Sequence, residues 1–111
     1  MKITLYGLAR KSIGRVSIEI DWESINNDIL RAGTPLSADG QISNDERCIG
    51  IVANDCVPYY NGVAEVIVAG EVDRAEQQSI SGIKLSKEAI SAMSNIRFTN
   101  DEKYLSLLKK A

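Results

Sequence analysis

The chain has 111 residues, of which 44% are hydrophobic and 25% charged, and a formal net charge of −2. That is the length of one domain with a core that needs neither disulfide nor metal, and a charge too close to neutral to imply a nucleic-acid or acidic-lipid partner. It contains no histidine, which removes the commonest general base, the usual catalytic triads and the commonest metal ligand.

Residues 1–7, MKITLYG, can form a strand, with Ile3 and Leu5 on one face and Lys2, Thr4 and Tyr6 on the other. Gly7 can act as a hinge, and Arg10, Lys11 and Arg15 make the following segment basic. The segment suits two roles: an ordinary first strand paired within the domain, or an arm of residues 1–12 that adds a strand to a partner's sheet edge. Only Ile3-Thr4-Leu5-Tyr6 separates Met1-Lys2 from Gly7, too short for the apolar region of a signal peptide, and no apolar run reaches the ~18–20 residues of a membrane span. The protein is therefore expected to be made in the cytoplasm and to have no membrane partner.

Residues 16–23, VSIEIDWE, alternate strictly. Val16, Ile18, Ile20 and Trp22 fall on one side of the predicted strand, and Ser17, Glu19, Asp21 and Glu23 on a solvated side. The three acids are spaced ~6–7 Å apart along that side with no His or Cys near them, so a wet face is expected rather than a metal site. Trp22, the only tryptophan, is expected to anchor the core or an interface. Residues 24–31 fit either a helical turn or a second strand.

The stretch 32–73 organises the rest. Ala32-Gly33-Thr34-Pro35 reads as a turn into a short strand at Leu36, and residues 37–47 as a hairpin tip and surface loop. Three apolar runs follow, Cys48–Ala53, Val57–Tyr60 and Val63–Ala69, rich in Val and Ile and separated by Asn54-Asp55 and Asn61-Gly62. Asp39-Gly40 and Asn61-Gly62 are the residues suited to tight hairpins with positive φ. In the last run Ala64, Val66, Val68 and Val72 share one parity and Glu65 and Glu71 the other. Asp73 with Glu76 forms a capping box for a short helix ended by Gly82; Ser86 is a second N-cap, with Leu85 and Ile90 able to staple that helix. Ile96-Arg97-Phe98 reads as a closing strand, and residues 99–111 as a last helix packed on its own domain or on a neighbouring subunit. The expected core includes Val16, Ile18, Ile20, Ile49, Ile51, Val66 and Val68.

Cys48 and Cys56 would stand about 26 Å apart on one continuous strand, against the ~7 Å between Cα atoms that a disulfide tolerates, so two buried reduced thiols are expected. Two cysteines without histidine are too few for a structural zinc site. There is no GxGxxG or Walker A pattern, and no basic stripe interleaved with aromatics. These features predict a chain that is not an enzyme, takes no cofactor, small-molecule substrate or nucleic acid, and works by presenting surface. The fold class is mainly β, a small barrel or rolled sheet, with two or three short helices in the C-terminal third of a single domain spanning 1–111.

The order AGTPL, a DG turn, GI-V-A-N-D, V-I-V-A-G-E-V-D, a short helix and I-R-F, over roughly residues 30–98, resembles the head decoration proteins of tailed phages and the base of the related head fibre proteins. The resemblance implies a β-rich structural protein of the virion exterior, usually a homotrimer, whose partner is the major capsid protein. It also implies an N-terminal segment that can join a capsid strand, here Lys2, Ile3, Thr4, Leu5 and Tyr6. The base of a head fibre, or a generic small protein-binding module, is the alternative.

Overall fold

The alternating apolar runs assemble into one open, mainly antiparallel sheet, seen in a computed structural model that describes residues 7, 12–26 and 28–99. The strands are β1 (Ser12–Glu19), β2 (Pro35–Ser37), β3 (Cys48–Val52), β4 (Val63–Asp73) and β5 (Ile96–Thr99), with helices α1 (Arg74–Ser81) and α2 (Lys87–Ala92) between the last two strands. Their order is β1-β4-β3-β2, and β5 runs parallel to β4 along its final residues, Gly70 to Asp73. Of the two expected forms, a small barrel or a rolled sheet, the barrel is excluded, because the sheet does not close. One physical reason is the outer side of β2: this strand has three residues, and its own return, Leu36 pairing with Ile42, occupies that side.

Two apolar clusters form, and the central strands feed both. Ile51, Ala53 and Ile67 join Val72, Leu85, Ala89, Met93 and Ile96 under the helices. Val52, Ala64 and Val66 join Ile20, Ile25, Leu30 and Leu36, with Ile18, Trp22 and Val68 packed on them. Burying a Val, Leu or Ile contributes about 1.5–3 kcal/mol, so a strand lined on both faces is held from both sides.

Several expectations need correction. Strand β1 begins at Ser12 and stops at Glu19, four residues before the end of the alternating run. A register shift on each side of Gly14 hides its start from a parity reading. Its end comes where Asp21 starts a turn: the Ser24 amide and hydroxyl both donate to the Asp21 carbonyl, and the Ile25 and Asn26 amides bond three residues back. Among the described residues of 24–31 the chain makes a turn through Asn26 and no second strand, and Leu30 makes an isolated bridge to Cys56. Of the expected core, Ile20, Ile51 and Val66 are buried, Ile18, Ile49 and Val68 are half-buried, and Val16 is 40% exposed. Val16 lies on β1, which among the described residues pairs with β4 alone. Val66 and Val72 share a parity yet lie in different clusters. Gly70 stands between them with φ +117°, and this local reversal of the pleat carries the later residues to the helix side.

The helix signals hold. The Asp73 carboxylate accepts from the Glu76 amide at 3.0 Å, and Gly82 ends α1 in the left-handed conformation. The Ser86 hydroxyl accepts from the Ala89 amide at 3.0 Å, Leu85 is buried and Ile90 half-buried. The turn and short strand at Ala32–Ser37 and the closing strand at Ile96 are also present. The last helix, 99–111, lies outside the described residues apart from Thr99, which ends β5. Among the described residues no helix is long and apolar enough to cross a membrane.

Candidate functional site

The expected contact residues Lys2, Ile3, Thr4, Leu5 and Tyr6 lie outside the described residues. Their neighbour Gly7 is described: it bridges Asn54 in antiparallel fashion, which fastens the chain just after them to the far end of β3.

Three segments meet where β1 ends. The Ile20 amide donates to Gly62 O at 2.9 Å, and the Asp21 amide to Gly40 O at 3.1 Å. Gly40 has φ +77° and a Cβ there would overlap the Glu19 carbonyl, so the 37–42 hairpin can rest on β1 only with glycine at its tip. Gln41 Nε2 donates to Asp21 Oδ2 at 3.1 Å and holds the same joint from its side chain. The result is an open cleft of about 470 Å³ lined by Glu19, Ile20, Asp21, Trp22, Glu23, Ala38 and Asp39. The acids expected along one wet strand face instead surround this cleft, because the strand stops at Glu19 and the chain turns.

Trp22 is half-buried, and its indole N–H donates to Asn61 O at 2.7 Å. That bond ties the cleft to the loop before β4. The Asn61 side chain in turn accepts from the Val57 amide at 2.8 Å, and the Tyr60 and Asn61 amides both donate to the Val57 carbonyl. The run Val57–Tyr60, expected among the central strands, is therefore a turn. Its positive φ falls on Tyr59, at +71°, rather than on Asn61-Gly62. Tyr59 is 93% and Tyr60 87% exposed, and Val63, opposite Glu19 in the ladder, is also exposed. The apolar run conceals this exposed tip in the sequence, although Pro58 suits an edge strand or a turn. The signal was Pro58, which lacks an N–H and sits badly inside a strand, followed by two tyrosines and Asn-Gly.

Among the described residues that line the cleft there is no Lys or Arg. Arg47 is engaged elsewhere, with Asp45 Oδ2 at 3.1 Å. This bond holds the Asp45 carboxyl below its usual range and raises the Arg47 guanidinium, to which Asp39 adds only a minor Coulombic part. No three of His, Cys, Asp and Glu among the described residues are grouped so as to hold a metal ion. Cys48 and Cys56 are buried free thiols in different clusters, each donating to a carbonyl, Gly50 O at 3.3 Å and Asn54 O at 3.4 Å. Burial raises both above the ordinary thiol range, the reverse of what a nucleophilic cysteine needs.

No family model, curated protein or solved structure matches the chain.

Proposed function

We propose that the chain is a viral structural protein that binds the outer surface of a tailed-phage capsid as a homotrimer and stabilises the head. The observation that supports this reading is the order of short sequence words over residues 30–98, taken together with where they fall. Ala32–Leu36 is a buried turn and strand, Gly50–Asp55 is buried except for Asn54, Val66–Asp73 lies within β4 and Ile96-Arg97-Phe98 within β5. The words that carry the resemblance thus build the sheet, which is the part of a domain that relatives share.

The mechanism is a clamp. A trimer that touches several capsid subunits converts each further contact into an intramolecular one, so modest single contacts multiply, and separating the subunits means breaking them together. Residues 2–6 supply a strand to a capsid sheet edge. Ordering them costs about 1–2 kcal/mol per residue in backbone entropy, so they pair only where the partner edge offers hydrogen bonds.

Deleting residues 2–6 tests the arm while leaving Gly7 and its bridge to Asn54 in place. The truncated protein should keep its fold and its trimeric mass in light scattering and lose binding to undecorated heads. Unfolding would make the segment an ordinary internal strand, and unchanged binding would place the capsid contact elsewhere.

A further inference from the structure

We infer that the Tyr59-Tyr60 tip and the Trp22 cleft form one docking surface for an arginine-bearing segment of another protein. Two adjacent tyrosines are 93% and 87% exposed, on a turn closed by the Asn61 side chain. Side chains of this size left in solvent on a fixed turn are the usual anchors of protein interfaces, because little rotamer freedom remains to be lost on binding. The bond from the Trp22 indole to Asn61 O, 2.7 Å, makes the turn and the cleft neighbours.

The lining sets the charge of the occupant. Glu19, Asp21, Glu23 and Asp39 stand around Trp22, with no basic side chain among the described residues that line the cleft. Asp21 is held by Gln41, and an uncharged or acidic segment would bring no counter-charge to Glu19, Glu23 and Asp39. A guanidinium satisfies both parts of the surface: it stacks on aromatic faces and bonds carboxylates through its planar fork, and it sheds water more readily than an ammonium. A bare metal ion is the poorer occupant, since these acids are not grouped as ligands. None of the residues invoked for this surface is among 2–6, so the inference is tested independently of the arm and of capsid binding.

The probe is a short glycine-flanked peptide with two arginines, set against the same peptide with neutral citrulline in their place. Trp22 is the only tryptophan, so its fluorescence and its indole N–H resonance report on the cleft directly. In low salt the arginine peptide should shift both signals saturably, with half-saturation at least tenfold below that of the citrulline peptide. The double variant Tyr59→Asn/Tyr60→Ala should weaken the arginine peptide at least threefold; asparagine tolerates the positive φ of position 59. Glu23→Gln/Asp39→Asn should do the same. Melting curves of both variants keep a loss of fold from passing for a loss of binding. No response to the arginine peptide, an equal response to citrulline, or full binding by both folded variants would overturn the inference.

Discussion

Two residues show how single side chains set local stability in opposite directions. The Asp55 side chain is 0% exposed; its Oδ1 accepts from the Ala32 amide at 2.6 Å and its Oδ2 from Arg31 at 2.8 Å. Asp55→Ala leaves a buried N–H without its acceptor and should cost about 3 kcal/mol in urea unfolding. Arg31→Ala should cost a comparable amount, about 3 kcal/mol, because it leaves the fully buried Asp55 carboxylate without its cation. Tyr59 carries the opposite sign. A side chain at φ +71° is strained and this one touches little, so Tyr59→Gly should stabilise by about 1 kcal/mol, read as a melting temperature roughly 4–8 °C higher. A residue that lowers stability and stands in solvent is the kind that function retains.

The cysteines give a pH dependence with a definite sign. Their thiols hold protons more tightly in the folded chain than in the unfolded one, chiefly through burial. The stability this contributes is fully present below the unfolded thiol pKa, about 8.5, and is lost as pH rises through the folded values. Urea midpoints should be flat between about pH 6.5 and 8 and fall above about pH 9. Cys48→Ala/Cys56→Ala should flatten that fall; an unchanged fall would assign it to other groups.

At the scale of elements, the sequence was legible wherever one local rule decided the outcome. Asp73, Ser86 and Gly82 act through their own side chains and φ angles, so α1 begins and ends, and α2 begins, where those residues say. Ser86 does more than its spacing reveals: its hydroxyl also donates to Asn44 O at 2.8 Å, its amide donates to Asn44 Oδ1 at 2.8 Å, and Asn44 Nδ2 reaches Lys84 O. Ser86→Ala should therefore cost more than a lone cap, about 2 kcal/mol in urea unfolding, while Ser86→Asn, which can still cap, should recover part of it. Legibility failed where parity depends on distant geometry. The shifts beside Gly14, the reversal at Gly70 and the turn begun by Asp21 each change which way a side chain faces without changing the apolar pattern. The Val57–Tyr60 run reads as a further apolar run beside the strands for a related reason, since aromatic residues suit both a strand and an exposed turn.

For the whole molecule, what unites the fold and the proposed function is a pair of central strands that feed apolar clusters on both faces, with the proposed contact surfaces at the periphery. Gly7 is pinned at Asn54, next to the residues that the resemblance assigns to the capsid. The aromatic tip and acidic cleft lie where β1, the 37–42 hairpin and the loop before β4 converge. No stretch of sequence announces that convergence, because its three contributors are well separated in the chain and meet through backbone bonds such as Asp21 to Gly40 and Ile20 to Gly62. The measurement that tests the central claim most directly is co-sedimentation of the purified protein with undecorated heads assembled from the capsid gene nearest its own. Decoration predicts saturable binding, in copy numbers divisible by three, and heads that survive higher temperature once coated. Protein that stays in the supernatant at every concentration, or that pellets without saturating and leaves the heads no more stable, would contradict it.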